Sequence, residues 1–129
     1  MMEFRTASME YIERMCEITE DAKRQLRSMG LDQWQKGYPS REVWLKDIQD
    51  GCTYLAVDDG EVQGIFAFQT TPDPSYEEID GAWLTDGAYA SMHRVCGADG
   101  CKGKGVASQM FAKGFDLARE MGFPAVRID

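Results

Sequence analysis

A glycine-rich stretch at residues 97–107 is the part of the sequence whose residue types and spacing indicate chemistry. It reads Gly-Ala-Asp-Gly-Cys-Lys-Gly-Lys-Gly-Val-Ala. Four glycines fall within nine residues, and two lysines, Lys102 and Lys104, lie among them. Glycines let main-chain N–H groups approach a ligand closely. A helix that begins near Val106 would add unpaired amides and a partial positive charge. Together these features are typical of a site for phosphate or pyrophosphate.

Two common phosphate-binding motifs do not fit this stretch. Counted from Gly97, the second glycine of a P-loop falls on Lys102, and a glycine follows Lys104 where Ser or Thr belongs. A dinucleotide-binding fingerprint could use Gly103 and Gly105, but its third glycine position holds serine. Both motifs are therefore set aside.

A third motif does fit. Gln/Arg, two residues, Gly, one residue and Gly/Ala correspond to residues 102–107, with lysine in the first position. The stretch resembles motif A of the GNAT superfamily of acetyl-CoA-dependent N-acyltransferases. Lys102 keeps the cation but lacks the planar donor fork of arginine. The segments around Trp34, Tyr38 and Pro74 are similar to a bacterial branch of this superfamily, so the resemblance spans nearly the whole chain.

The resemblance implies where CoA binds. The pantetheine arm would lie between two diverging strands and pair with the main chain of residues 94–97, and the pyrophosphate would contact the amides of residues 102–107. Strand N–H groups would stabilise the developing oxyanion. The implied CoA-binding residues are Arg94, Val95, Cys96, Gly97, Lys102, Gly103, Lys104, Gly105, Val106 and Ala107.

Acyl transfer requires a neutral amine and a route for its proton. No acid or base is singled out by spacing. The catalytic candidates are Glu78, Asp80 and His93, and Glu77 and Asp129 are the other carboxylates considered. Histidine changes charge near neutral pH, but strand alternation could equally turn His93 into the core.

Aromatic residues near the second helix could line an acceptor pocket, where their faces would attract a protonated amine. Trp34 and Tyr38 belong to a loop and are the substrate-binding candidates. Trp83 is a further possibility, whereas Trp44 lies on an amphipathic helix and fits the core better.

The elements that position these residues follow from the periodicity of the sequence. An apolar stripe with three- and four-residue spacing predicts a helix at 9–29, and Ser40 and Gly51 cap a second one. A loop with two prolines and five acids occupies residues 71–86. Strands are predicted at 3–6, 53–57, 62–69, 89–96 and 125–128, and a last helix at 106–121. This order predicts a single α+β or mixed α/β domain over residues 1–129, and the resemblance implies the GNAT fold, a central mixed sheet flanked by helices.

Composition excludes several classes of protein. The chain has 129 residues, 43% of them hydrophobic, and a net charge of −8, which argues against nucleic-acid and membrane partners. His93, Cys96 and Cys101 lack a fourth Cys or His nearby and do not have a zinc-finger spacing, so no metal site is predicted. The four cysteines are expected to be reduced thiols. The N-terminus carries charges in place of an apolar signal region, which predicts a cytoplasmic protein.

The sequence therefore predicts acetyl transfer from acetyl-CoA to a primary amine on a small molecule or peptide. The alternative is a CoA-binding module without turnover. Relatives usually continue beyond the fifth strand with a helix and two more strands, whereas this sequence stops at Asp129. An uncovered strand edge invites pairing, so a homodimer is expected.

Overall fold

The computed structural model describes residues 2–31, 34, 37–70, 90–98, 105–123 and 125–128. A short 3-10 turn, Met9–Tyr11, precedes the first α-helix. The other elements are β1 (Met2–Thr6), α1 (Ile12–Ser28), α2 (Arg41–Asp50), β2 (Thr53–Asp58), β3 (Glu61–Gln69), β4 (Ala90–Gly97), α3 (Val106–Glu120) and β5 (Val126–Ile128). This order confirms the predicted mixed α/β class.

The five strands form one sheet in the order β1-β2-β3-β4-β5. The first three pairings are antiparallel, and β4 pairs with β5 in parallel. Asp59 and Gly60 both have positive φ at the tip of the β2–β3 hairpin. Two such residues match the right-handed twist of the strands that they join.

The caps of α2 agree with the sequence prediction. Ser40 precedes the helix, and its side chain accepts a hydrogen bond from the N–H of Val43. Gly51 ends the helix at φ 70°, in the left-handed region that glycine tolerates best. Both ends of α2 are therefore set by local sequence.

The apolar stripe of α1 serves two different purposes along its length. Ile12, Met15 and Ile18 are buried in the core. Leu26 and Met29 instead line a cleft, and Met29 is 59% exposed. The spacing correctly predicts the helix, but the C-terminal part of the stripe forms a cleft wall.

The helix α3 packs closely on the sheet because two positions lack a side chain. A Cβ atom at Gly64 in β3 would lie 2.8 Å from Sδ of Met110, and one at Gly114 in α3 would lie 2.2 Å from Sδ of Met92 in β4. Ala107 and Met121, near the two ends of the helix, are exposed. The buried residues of α3 are Val106, Met110, Gly114, Leu117 and Ala118.

Trp44 lies in the core, as expected, and joins α2 to α1. Its indole Nε1 donates to Oγ1 of Thr19 at 2.8 Å, and the Thr19 hydroxyl donates to the carbonyl oxygen of Met15 at 2.7 Å. Each polar atom of this buried contact therefore has a partner. In the part of the chain that the structure describes, no helix is long and apolar enough to cross a membrane.

Candidate functional site

Strands β4 and β5 lie side by side over a short distance only. In β4, residues 90–92 pair with β5, whereas the pairing with β3 continues to Gly97. From His93 onward, no described strand pairs with β4 on its β5 side. The second half of β4 instead lines an open cleft.

A bulge interrupts β4 just beyond the residues that pair with β5. Ile65 of β3 pairs with Cys96 and Ala67 pairs with His93, so Arg94 and Val95 together lie opposite one residue of β3. Arg94 has φ 53°, which is uncommon for a residue with a side chain. Bulges bend a strand and redirect its side chains and main chain.

Beyond the bulge, the main chain of β4 has one side turned away from β3. The N–H of Ala98 donates to the carbonyl oxygen of Gln63 at 2.9 Å. Peptide groups alternate in an extended strand, so the groups of Gly97 point the other way. The carbonyl oxygen of Gly97 indeed accepts a hydrogen bond from Nε2 of Gln25 in α1, at 3.5 Å.

The cleft has a volume of about 580 Å³. Its walls are the C-terminal half of α1, the second half of β4, the first residues of α3 and part of the connection between α1 and α2. It brings together the following residues that the sequence singled out: Trp34, Tyr38, His93, Arg94, Val95, Cys96, Gly97, Val106 and Ala107.

The remaining candidates fall on other parts of the chain. Gly105 immediately precedes α3 and is exposed. Lys102, Gly103 and Lys104 lie outside the described residues, as do Glu78 and Asp80. Their roles stay predictions.

The first turn of α3 offers main-chain donors at one end of the cleft. Gly105 is the N-cap at φ 75° and, as a glycine, has no side chain with which to cap the helix. The N–H of Gln109 donates to the carbonyl oxygen of Gly105 at 3.0 Å, so the amides of residues 106–108 precede this first helical bond. With the positive end of the helix dipole behind them, such amides suit an anion.

Side chains form the opposite end of the cleft. The guanidinium of Arg94 binds the carboxylate of Asp47 in α2, with Nε 2.9 Å from Oδ2 and Nη2 2.8 Å from Oδ1. Its Nη1 donates to the hydroxyl of Tyr38 at 3.1 Å. The guanidinium carbon also lies 5.9 Å from the ring centre of Trp44, within the range of a cation–π contact.

This ion pair was missed by the sequence analysis, which assigned only the main chain of Arg94. Asp47 lies three residues after Trp44 and therefore on the same face of α2. It is 5% exposed. A carboxylate on the buried face of an amphipathic helix signals a buried cation, although its partner is 47 residues away.

The cation of Arg94 is permanent. Burial acts to lower its pKa, but the hydrogen bond to Tyr38 and the charge and hydrogen bonds of Asp47 outweigh burial and raise it. Among the described residues that line the cleft there is no carboxylate, and His93 is the one imidazole. His93 is 7% exposed, so its side chain is mostly covered although it lines the cleft.

Cys96 also lines the cleft, but its thiol is chemically quiet. Burial raises its pKa to about 12. The thiolate is the nucleophilic form of cysteine. Cys96 therefore contributes a wall to the cleft and no nucleophile.

Comparison with known proteins identifies the family. The family described as Acetyltransferase (GNAT) matches residues 12–129. The chain therefore belongs to the GNAT acetyltransferase family, whose co-substrate is acetyl-CoA. No curated protein matches the sequence.

Solved structures of acetyltransferases share the fold. A GNAT family acetyltransferase from Streptococcus agalactiae is 28% identical with a TM-score of 0.82, and the match covers 98% of this chain and 74% of that one. One from Listeria monocytogenes is 20% identical with a TM-score of 0.79, covering 98% and 75%. A third, from Brucella melitensis in complex with acetyl-CoA, is 16% identical with a TM-score of 0.63, covering 99% and 75%.

Proposed function

We propose that this protein transfers an acetyl group from acetyl-CoA to a primary amine by direct attack of the amine on the thioester. The observation that carries the proposal is the cleft along the second half of β4, which reaches the first residues of α3. A strand edge and a helix N-terminus are the donor sets that fit the amides and the pyrophosphate of CoA.

The proposed placement of CoA follows from those two donor sets. The amides of Val106 and Ala107 and the turn at Gly105 would hold the pyrophosphate, with Lys102 and Lys104 supplying positive charge. The main chain of residues 94–97 would pair with the pantetheine arm. Gly103 and the side chain of Cys96 would complete the walls.

In the proposed reaction, acetyl-CoA supplies an activated thioester. The amine nitrogen forms a bond to the acetyl carbon, the bond from that carbon to sulfur breaks, and the amine loses one proton. Main-chain N–H groups of β4 beyond the bulge would stabilise the negative charge that develops on the acetyl oxygen. Removal of one such donor from an enzyme typically raises the activation barrier by about 3 kcal/mol.

We assign the proton acceptor to His93, acting directly or through a water molecule. Arg94 is held as a cation by Asp47, and the Cys96 thiol stays protonated. His93 is therefore the best-suited base among the described residues of the cleft. Glu78 and Asp80 remain the alternatives.

The acceptor is proposed to be an amine on a small molecule or peptide. Trp34 and Tyr38 line the cleft near His93 and Arg94. Aromatic rings bind the apolar part of such an acceptor and attract its cationic form. A homodimer and a cytoplasmic location stay predictions of the sequence.

The test is release of CoA thiol from acetyl-CoA over a panel of primary amines, with CoA affinity measured by calorimetry. His93→Gln should lower kcat by about 10²-fold or more, since a positioned base contributes about that much, and should leave the Kd for CoA unchanged. Ser91→Ala, on the same strand, is the matched control and should keep its activity.

Three results would redirect the proposal. Wild-type kcat in His93→Gln would move the base to the alternatives, which Glu78→Gln and Asp80→Asn then separate. CoA binding without thiol release over the panel would favour a binding module. Absence of CoA binding would exclude both functions.

A further inference from the structure

The ion pair between Arg94 and Asp47 is buried and has several short contacts. The side chain of Arg94 is 13% exposed and that of Asp47 is 7% exposed. Three N–H to oxygen contacts of 2.9 Å or less join them. The pair connects the bulge of β4 to α2, two elements that are far apart in the sequence.

Stability alone gives no reason for this pair. Removing two charges from water costs about as much as their attraction returns, and apolar side chains of similar size stabilise a core equally well. Arg94 also holds an uncommon left-handed backbone conformation at φ 53°. Backbone strain of this kind persists where the surroundings impose it, which often happens at functional sites.

The pair also determines what Tyr38 can do. The hydroxyl oxygen of Tyr38 accepts a hydrogen bond from Nη1 of Arg94. Its own hydrogen therefore points away from Arg94, and no acceptor for it lies among the described residues. A hydroxyl that accepts one hydrogen bond becomes a stronger donor in the next, and Tyr38 is 45% exposed and lines the cleft.

We propose that Arg94 and Asp47 are positioning residues, which together fix the bulge of β4 and aim the hydroxyl of Tyr38 at the bound substrate. Tyr38 is then the residue that touches substrate, as a hydrogen-bond donor to an oxygen or other lone pair near the reacting carbon. This inference rests on the proposed acyl transfer and deepens it. It adds a specificity-determining donor at the end of the cleft opposite α3.

The test uses Tyr38→Phe and Asp47→Asn, with Asp50→Asn as the matched control. Asp50 lies on the same helix, but it is exposed and pairs with Lys46. We expect Tyr38→Phe and Asp47→Asn each to lower kcat by about tenfold, with the Kd for CoA changed less than about threefold in Tyr38→Phe. These values correspond to loss of one oriented hydrogen bond.

A double variant separates positioning from a purely structural role. If Asp47 acts through Tyr38, Tyr38→Phe combined with Asp47→Asn should lose no more kcat than the more damaging single variant. A lower melting temperature with unchanged kcat per folded molecule in Asp47→Asn would overturn the proposal. Unchanged kcat and KM in Tyr38→Phe, which alters an exposed side chain, would overturn it even if Asp47→Asn fails to fold.

A readout that needs no turnover distinguishes the failure of this inference from the failure of the proposed function. Amide resonances of Val95 and Cys96 should shift in Asp47→Asn and stay in place in Asp50→Asn. If wild-type protein releases no thiol, acyl transfer fails, and a shift of these amides still supports the positioning of the bulge. Unshifted amides in a folded Asp47→Asn variant would overturn the positioning whether or not the protein turns over.

Discussion

The two ends of the cleft are built from different materials. At the start of α3 the donors are main-chain amides, and the N-cap is a glycine without a side chain. At the other end, side chains from α2, β4 and the connection between α1 and α2 meet at Arg94. The first end depends on local backbone geometry, and the second depends on contacts between elements that are distant in the sequence.

Because of this difference, the two ends of the cleft tolerate different substitutions. Main-chain donors survive most side-chain changes, so the α3 end is vulnerable mainly where a glycine permits its geometry. The Arg94 end can be altered by one polar substitution, because each group there has a specific partner. We therefore expect a shared ligand at the first end and the selection of the acceptor at the second.

The largest expected effect is at Gly105, where charge and backbone strain can be separated. Gly105→Asp places a carboxylate beside the proposed pyrophosphate, and Gly105→Asn is its uncharged match with similar tolerance of positive φ. We expect the Asp variant to weaken CoA binding by at least about 100-fold in calorimetry and the Asn variant by less than about tenfold, because like charges repel at short distance.

Equal affinity in the two Gly105 variants would remove the phosphate from this end of the cleft. Circular dichroism of both variants serves as the check on folding. A Cβ atom at this position meets no heavy atom of the described residues within 4 Å, and the two variants carry similar strain from the positive φ, so the comparison between them isolates the charge.

A smaller effect is expected at Gly114, which lets α3 approach β4 and so sets the distance between the two ends. Gly114→Ala puts a Cβ atom 2.2 Å from Sδ of buried Met92. Overpacking of this kind costs about 1–3 kcal/mol, which exceeds the helix propensity that alanine gains, about 1 kcal/mol. Thermal unfolding should show a lower midpoint.

Met92→Val in the same chain provides the control for Gly114. It removes the atom that clashes, so the two changes together should be less destabilising than the sum of the single changes. Additive effects would show that α3 adjusts its position without help from Met92.

The smallest effect is expected at Cys96, whose side chain should add no reactivity to the β4 wall. A pKa of about 12 leaves roughly one thiol in ten thousand ionised at pH 8. Iodoacetamide at pH 8 should therefore spare Cys96 in native protein and label it in denaturant, as read by peptide mass spectrometry. Rapid labelling of the native protein would contradict this account.

The sign of the pH dependence at Cys96 follows from the same burial. Its pKa is higher in the folded chain than the ordinary value of 9.0, so the folded state favours the protonated thiol. This contribution to stability is complete below about pH 9 and is lost as the pH rises towards 12. Cys96→Ala should reduce the loss of stability in that alkaline range.

Local patterns in the sequence were sufficient to predict most of the fold. Ser40 and Gly51 mark the ends of α2, and the turn at Asp59 and Gly60 marks the hairpin, because each acts on its own neighbours. The glycine-rich stretch likewise pointed to the start of α3. These signals need no knowledge of distant residues.

Features that depend on tertiary contacts escaped prediction. Nothing near Arg94 in the sequence marks the bulge, and its pairing with Asp47 exists only once α2 packs beside β4. Leu26 continues the spacing of core residues but lines the cleft together with the second half of β4 and the start of α3. The spacing of apolar residues predicts that one face of a helix is covered, but it does not identify what covers that face.

The hydrogen bond between Trp44 and Thr19 has a consequence for how acceptor preference could change. It joins α1 to α2 independently of residues 29–40, the stretch that connects the two helices and contains Trp34 and Tyr38. Because the two helices are joined to each other elsewhere, substitutions at the cleft positions Trp34 and Tyr38 need not separate them. New amine preferences could then arise by exchanging these two side chains while α1 and α2 stay packed together.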